Sequence, residues 1–260
     1  MSKTPESRPD SEQVDQNLPL VPLDEAVLAA AHTRYEIVNA VLDDLPRSGG
    51  EHADVLADAL YVQGLADRLV REAVIVEAER GASWADIAKM TGVSRQAAHE
   101  RWSTAVEGWA LTGRKRTGIG SSTPSAELAA NLNEWFAELD SEGRTDAITS
   151  TLPSHADPAA RSAAQEKRNQ AAELRDQQNE LQRAADRACD ASMEAIGTKD
   201  AEQKRAAWAT ALLARASAYD RLAAAEAPLG REHKRAAGTQ RSLAHDLLSG
   251  QPIQPNGEDQ

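Results

Sequence analysis

The sequence predicts an all-α fold, and three observations point to it. Alanine is the most common apolar residue, and aromatic residues make up only 3% of the 260 residues. Alanine has the highest helix propensity and lets helices pack closely, whereas so few aromatic residues cannot build a large aromatic core. No segment alternates β-branched and polar residues over the length of a strand, and apolar residues recur instead at spacings of three and four. We therefore expect helices throughout the chain.

The N-terminal region predicts two long helices after a polar tail. Residues 1–22 are rich in Ser, Pro, Asp and Glu, so they bury too little apolar surface to offset the entropy of ordering, and a disordered acidic tail is expected. Asp24 to Leu45 carries apolar residues at helical spacing until Pro46–Gly50 interrupts it. Val55 to Arg80 predicts a second, longer helix. Both should support the segment that follows, within a domain of residues 23–110.

Residues 83–102 predict a pair of helices joined by a tight turn. Ser83 is followed three residues later by Asp86, an approximate capping box that begins the first helix. Gly92 ends that helix because it supplies the positive φ that a three-residue turn needs. Ser94 caps the second helix, which is expected to continue to about residue 110. This pattern is that of a helix-turn-helix.

The segment Gly92 to Trp102 resembles the recognition-helix segment of many actinobacterial helix-turn-helix regulators. It is more distantly similar to the last DNA-binding module of sigma factors. In that family pattern, Leu69 to Arg80 is the supporting helix before the motif, so the resemblance covers residues 69–102. Arg101 departs from the pattern, which usually has a branched apolar residue there, and we expect Trp102 to fill that packing role.

The resemblance implies which side chains meet DNA. In helix-turn-helix docking, the N-terminal part of the second helix meets base edges in the major groove. The residues expected to contact bases are therefore Ser94, Arg95, Gln96 and His99, with Arg95 suited to guanine and Gln96 to adenine. Phosphate contacts, which fix register without reading sequence, are expected from Lys89, Arg101, Arg114, Lys115 and Arg116. The run at 114–116 also fits a solvated basic loop.

Charge is distributed unevenly along the chain. The formal net charge is -12, whereas DNA-binding domains are usually basic. Residues 89–116 nevertheless hold six Lys or Arg and two Glu, a net charge of +4, while residues 1–58 hold four Lys or Arg and twelve Asp or Glu. The positive charge is thus concentrated at the motif, and the acidic flanks are expected to lower nonspecific binding.

Residues 111–158 are predicted to be a linker that contains one short helix. Leu111 to Ser125 has three glycines and a Ser-Ser-Thr-Pro cluster, which indicates a linker or a mobile wing. Glu127 to Leu139 carries apolar residues on one side of a helix. That side is expected to dock on its own N-terminal domain, and the alternative is a contact with another subunit.

Residues 159–249 predict a long helical hairpin with coiled-coil-like spacing. Leu174, Leu181, Ala188 and Ala195 recur every seven residues in a stretch free of Pro and Gly, which gives a weak, alanine-rich seam. Gly197 to Asp200 offers a helix end and a new beginning. We expect an arm that forms a homodimer or holds another protein, the alternative being a spacer on a monomer. Pro228 and Gly230 are expected to break or kink the return helix, Glu232 to Leu248 to form a last helical piece, and residues 250–260 to fray.

Other classes of protein lack support in the sequence. There is no nucleophile, metal-ligand or nucleotide-loop pattern, so we expect neither an enzyme nor a cofactor or metal. The single cysteine, Cys189, excludes an internal disulfide, and neither an export signal nor a run of about 20 apolar residues is present. A cytoplasmic, nucleoid-associated protein without a membrane partner is therefore expected.

These observations lead to one functional hypothesis and two alternatives. The leading hypothesis is sequence-specific binding of double-stranded DNA through the helix-turn-helix, in a transcriptional regulator. The first alternative is a plasmid or phage segregation or maintenance factor, since that task also needs a DNA-reading head and an association arm. The second is a helical adaptor protein in which the motif is only a packing unit.

Overall fold

The computed structural model describes residues 18–43, 52–116 and 122–249, and every long regular element in these ranges is an α-helix. The all-α prediction is confirmed. The predictions of a break at Pro46–Gly50 and of a fraying end at 250–260 lie outside the described residues. The helices are α1 (Pro22–Asp43), α2 (His52–Glu79), α3 (Trp84–Thr91), α4 (Arg95–Leu111), α5 (Ser125–Leu139), α6 (Pro158–Glu194), α7 (Ala201–Ala225) and α8 (Gly230–Ser249). Short 3-10 helices occur at Thr149–Thr151, Pro153–Ala156 and Ala227–Leu229.

The chain divides into an N-terminal unit, residues 1–166, and a C-terminal unit, residues 167–260. The boundary falls inside α6, whereas the sequence predicted a linker over residues 111–158. The described part of that supposed linker belongs to the N-terminal unit. No helix in the described ranges combines the length and apolar character that crossing a membrane requires.

One core of the N-terminal unit joins α1 to α5 and to the segment after α5. Leu20, Leu28, Leu132 and Leu152 are buried together with Leu128 and Ala129. The apolar side of α5 thus docks on its own unit, as expected. The linker prediction was wrong for this region because the spacing of Gly and Pro residues does not reveal the buried leucines that hold it in place.

Two carboxylates in the first turn of α1 fasten this core. Asp24 accepts hydrogen bonds from the backbone N–H and the hydroxyl of Ser154, at 2.7 and 2.6 Å. Glu25, which is 1% exposed, accepts one from the N–H of Leu20 at 2.8 Å and another from the hydroxyl of Ser125. Residues 18–22 are therefore part of the fold, since Leu20 is buried and bonded, and the prediction of disorder was wrong for them; for residues 1–17 it lies outside the described residues.

The C-terminal unit buries a cluster that three helices share, instead of the two of the predicted hairpin. Ala185 on α6, Ala209 and Leu212 on α7, and Ala244 and Leu247 on α8 are all buried in it. The small side chains allow close packing of the helices. The helical piece predicted at Glu232 to Leu248 is therefore confirmed as α8, which begins at Gly230, but its packing into one core with α6 and α7 was not expected.

A buried ion pair connects the same three helices. Glu226, which follows α7, binds the Arg175 guanidinium of α6 through two contacts of 2.5 and 2.7 Å. Its second oxygen also lies 2.9 Å from Nε2 of His233 on α8. Burial alone would raise the pKa of Glu226, but the hydrogen bonds with His233 and Arg175 outweigh it and hold that pKa below its ordinary value.

Candidate nucleic-acid interface

The first helix of the predicted motif, α3, begins with a complete capping box. The Ser83 hydroxyl accepts the backbone N–H of Asp86 at 3.2 Å, and the Asp86 carboxylate accepts the N–H of Ser83 at 2.8 Å. Both otherwise unpaired N–H groups at the helix start are satisfied. The local sequence therefore sets the first residue of α3.

Gly92 ends α3 in the left-handed conformation that the sequence predicted. Its φ is 73°, and its N–H bonds the Ala88 carbonyl. The N–H of Val93 bonds the same carbonyl at 3.2 Å. Ser94 then begins α4, because its hydroxyl accepts the N–H of Ala97 at 3.1 Å. The chain consequently reverses direction within Gly92–Ser94.

The inward faces of α3 and α4 are small or apolar. Ile87 and Ala88 on α3 are buried, and Ala98, Trp102 and Val106 are buried on α4. Trp102 is 3% exposed, so it fills the packing position expected of it, while Arg101 projects outward with its guanidinium 5.2 Å from the Trp102 ring. The opposite face of α4 is therefore left for other contacts.

The four predicted base-contacting residues lie together and exposed at the start of α4. Arg95 forms no ion pair with any residue that the structure describes. The Gln96 amide donates to the Glu100 carboxylate at 2.8 Å. His99 meets the Trp84 ring edge-on, with centroids 5.2 Å apart, and the Ser94 hydroxyl caps the helix.

The five predicted phosphate contacts separate into two groups. Lys89, Arg101 and Lys115 are exposed. Arg114, by contrast, is bound to Glu79 at the end of α2: its Nε donates to Oε1 at 2.8 Å and its Nη2 pairs with Oε2. The Glu79 side chain is 2% exposed and also accepts the Trp109 indole N–H at 2.8 Å.

Arg116 is held in the same way by the carboxylate at the start of α1. Its Nε lies 3.2 Å from Oε2 of Glu25, and its Nη2 donates to the Thr123 carbonyl at 3.0 Å. Arg114 and Arg116 are thus neither solvated nor free to meet phosphates, and both hold the fold. This leaves four exposed cations in residues 89–116, those at 89, 95, 101 and 115, against two exposed glutamates.

The sequence analysis did not identify Glu25 and Glu79 as partners of these arginines. Each glutamate is close in sequence to other acidic or basic residues and looks like an ordinary solvated charge. The sequence shows only that each glutamate lies at the end of a predicted helix. It does not show that the two pair with arginines 35 and 91 residues away.

Comparison with known proteins identifies no relative: no protein-family model, no curated protein and no solved structure matches the chain. Within the described ranges, no group of three side chains is arranged to hold a metal ion.

Proposed function

We propose that this chain binds double-stranded DNA in a sequence-specific manner through the helix-turn-helix α3–α4, as a transcriptional regulator. The observation that carries the proposal is the two-sided character of α4. Its inner side is closed by Ala98, Trp102 and Val106, while four hydrogen-bonding side chains, those of the cap Ser94 and of residues 95, 96 and 99, are exposed at its N-terminal end. A recognition helix needs this combination of a fixed inner face and an open N-terminal end.

The exposed side chains have the chemistry that base edges require. The Arg95 guanidinium offers two parallel N–H donors, which match O6 and N7 of guanine. The Gln96 amide matches N6 and N7 of adenine, but it must exchange its bond with Glu100 for the base. Arg95 is therefore expected to contribute more discrimination than Gln96, because it gives up no partner among the described residues.

Lys89, Arg101 and Lys115 are the side chains proposed to hold phosphates. Each phosphate neutralised by a cation steepens the dependence of log K on log salt by about 0.9. Three such contacts predict a slope near -2.7 per head, which is shallow. A small electrostatic contribution to DNA binding is expected for a chain whose net charge is -12, because its acidic residues repel phosphates.

Selection from a random duplex library followed by gel shift tests the proposal. A selected consensus should bind the unmodified chain, and Arg95→Ala with Gln96→Ala should weaken binding to it by about 30-fold or more, at roughly 1–3 kcal/mol for each lost bidentate pair. The matched control is Gln203→Ala with Arg205→Ala, which removes the same two groups from exposed positions of α7 and should leave binding unchanged. No enriched sequence, or equal loss in both variants, would refute the proposal in favour of the adaptor alternative.

Sequencing the genomic fragments that co-purify with the protein separates the two DNA-binding roles. Enrichment at promoters supports regulation. Enrichment at a single repeated locus supports segregation instead.

A further inference from the structure

The ends of α1 and α2 that flank residues 44–51 expose an unusual amount of apolar surface. Val41 and Leu42 lie on the last turn of α1, and Val55, Leu56, Leu60 and Tyr61 lie on the first turns of α2. Each of these six side chains is between 52% and 64% exposed. We call these six residues the apolar tip.

Away from the tip, the α1–α2 pair is held by apolar packing of Leu23, Ala26 and Val27 against Ile75 and Val76, and by polar contacts. The Arg68 Nε on α2 donates to the Thr33 hydroxyl on α1 at 3.0 Å, and its guanidinium also pairs with Glu36. Burial raises the pKa of Glu72, one turn further along α2. These contacts fix the two helices to each other next to the apolar tip, so the tip is presented on a rigid pair.

The tip residues of α2 are distributed widely around the helix axis. Residues 55, 56, 60 and 61 point to several sides of the helix axis at 100° per residue. These four side chains span about 240° around the axis, while Asp58 lies in the remaining sector, so the start of α2 presents one broad apolar face.

The area is of the size that a dimer needs. At roughly 150–200 Å² for each fully exposed side chain, the tip leaves about 600 Å² of apolar surface open per copy. The largest apolar patch on a typical monomer is about 300–600 Å², whereas a standard protein interface buries about 800 Å² per partner. The tip alone supplies about three quarters of that second value.

No segment of this chain outside the described residues has the composition to cover the tip. Residues 1–17 contain two large apolar residues, and residues 44–51, 117–121 and 250–260 contain one each. Covering about 600 Å² takes several such side chains.

We propose that the apolar tip is the interface between two copies of this chain, which pack tip to tip around a two-fold axis as a four-helix contact. A two-fold contact joins the same patch on both copies, so each leucine of the tip occurs twice in the interface, once from each copy. The proposed interface lies in the N-terminal unit, whereas the sequence had led us to expect it in the C-terminal arm. It also carries two copies of α4, one for each half of a symmetric DNA site, and this last point alone rests on the proposed function.

Sedimentation velocity of the full chain over about 1–100 µM tests the interface. The unmodified chain should show a concentration-dependent dimer of the 27.9-kDa subunit. Leu56→Glu with Leu60→Glu should weaken dimerisation by about 100-fold or more, since it places charges in the centre of the contact. The matched control, Leu213→Glu with Leu248→Glu, changes two exposed leucines of the C-terminal unit and should leave the dimer intact.

Hydrogen exchange on the unmodified chain provides a test that requires no variant to fold. Amides of residues 55–62 should exchange faster on dilution below the dimer range, while those of α7 should not change. An unmodified chain that stays monomeric, a dimer that only the C-terminal variant disrupts, or exchange at residues 55–62 that is independent of concentration would each overturn the inference. Failure of DNA binding with an intact dimer would refute only the proposed function.

Discussion

Replacing Arg114 with Gln tests whether this arginine holds the fold or contacts DNA. The substitution leaves the Glu79 carboxylate, 2% exposed, with the Trp109 indole as its remaining described partner. Removing one partner of a buried pair costs about 3–5 kcal/mol, because the other charge stays buried. Arg114 itself is 15% exposed, so we expect the lower end, about 3 kcal/mol. Its φ of 58° lies in the left-handed region for both residues, and the backbone strain therefore cancels.

Urea unfolding followed by tryptophan emission measures this loss. Four of the five tryptophans belong to the N-terminal unit, so the emission reports mainly the unit that contains the ion pair. The control is Lys115→Gln at the neighbouring exposed position. It should change the free energy of unfolding by less than about 0.5 kcal/mol but lower the salt slope of DNA binding by about 0.9.

The two neighbouring substitutions are thus expected to have opposite effects. Arg114→Gln lowers stability and leaves the salt slope of the folded protein unchanged, whereas Lys115→Gln does the reverse. If Arg114→Gln left unfolding unaffected and made the salt slope shallower, the ion pair with Glu79 would not hold the fold, and the reasoning about this loop would be wrong.

Three further substitutions test other parts of the fold. Gly92→Ala should destabilise by about 1 kcal/mol because of its positive φ, whereas Gly108→Ala, in a helix with open space around it, should stabilise by about 0.5–1 kcal/mol, both read from thermal unfolding. Asn133→Ala removes the acceptor of the N–H groups of two later residues and should cost about 1–3 kcal/mol in urea unfolding, while the exposed Asn131→Ala should be neutral. Because the pKa of Glu226 is lowered from its ordinary value of 4.5, the stability that Glu226 contributes is complete above about pH 4.5 and is lost as the pH falls below that value. Glu226→Gln should therefore be less stable at pH 7, and its stability should depend less on pH in the acid range when unfolding is followed by circular dichroism.

Sequence reasoning was most successful where neighbouring residues determine the structure. The capping box of Ser83 and Asp86, the left-handed Gly92 and the cap at Ser94 all involve residues within five positions of one another. Their geometry follows from backbone hydrogen bonding alone. The burial of Trp102 was also expected, since it replaces an apolar residue lost at Arg101.

It was least successful where residues far apart in sequence meet. The docking of α5 on α1 was expected from its apolar side, but the buried Leu152 and Ser154 that fix the following segment were not. The last helix of the C-terminal unit was predicted, but its packing into one core with α6 and α7 was not. Its buried residues Ala237, Ala244 and Leu247 lie on one side of the helix, but periodicity does not encode which other helices that side approaches closely.

The charge of the proposed DNA-binding surface is the clearest case in which a local count misleads. The sequence gives residues 89–116 a net charge of +4, and two of its cations are neutralised by Glu25 and Glu79 on other helices. Only the exposed cations act on a phosphate at the surface, because a buried ion pair has little external field. A single head with so few exposed cations binds DNA weakly, and two heads held at one site multiply that affinity through their effective concentration. The reduced surface charge and the apolar tip therefore support the two proposals together: if the chain binds DNA as proposed, a second copy held at the apolar tip raises the affinity of a weakly charged head.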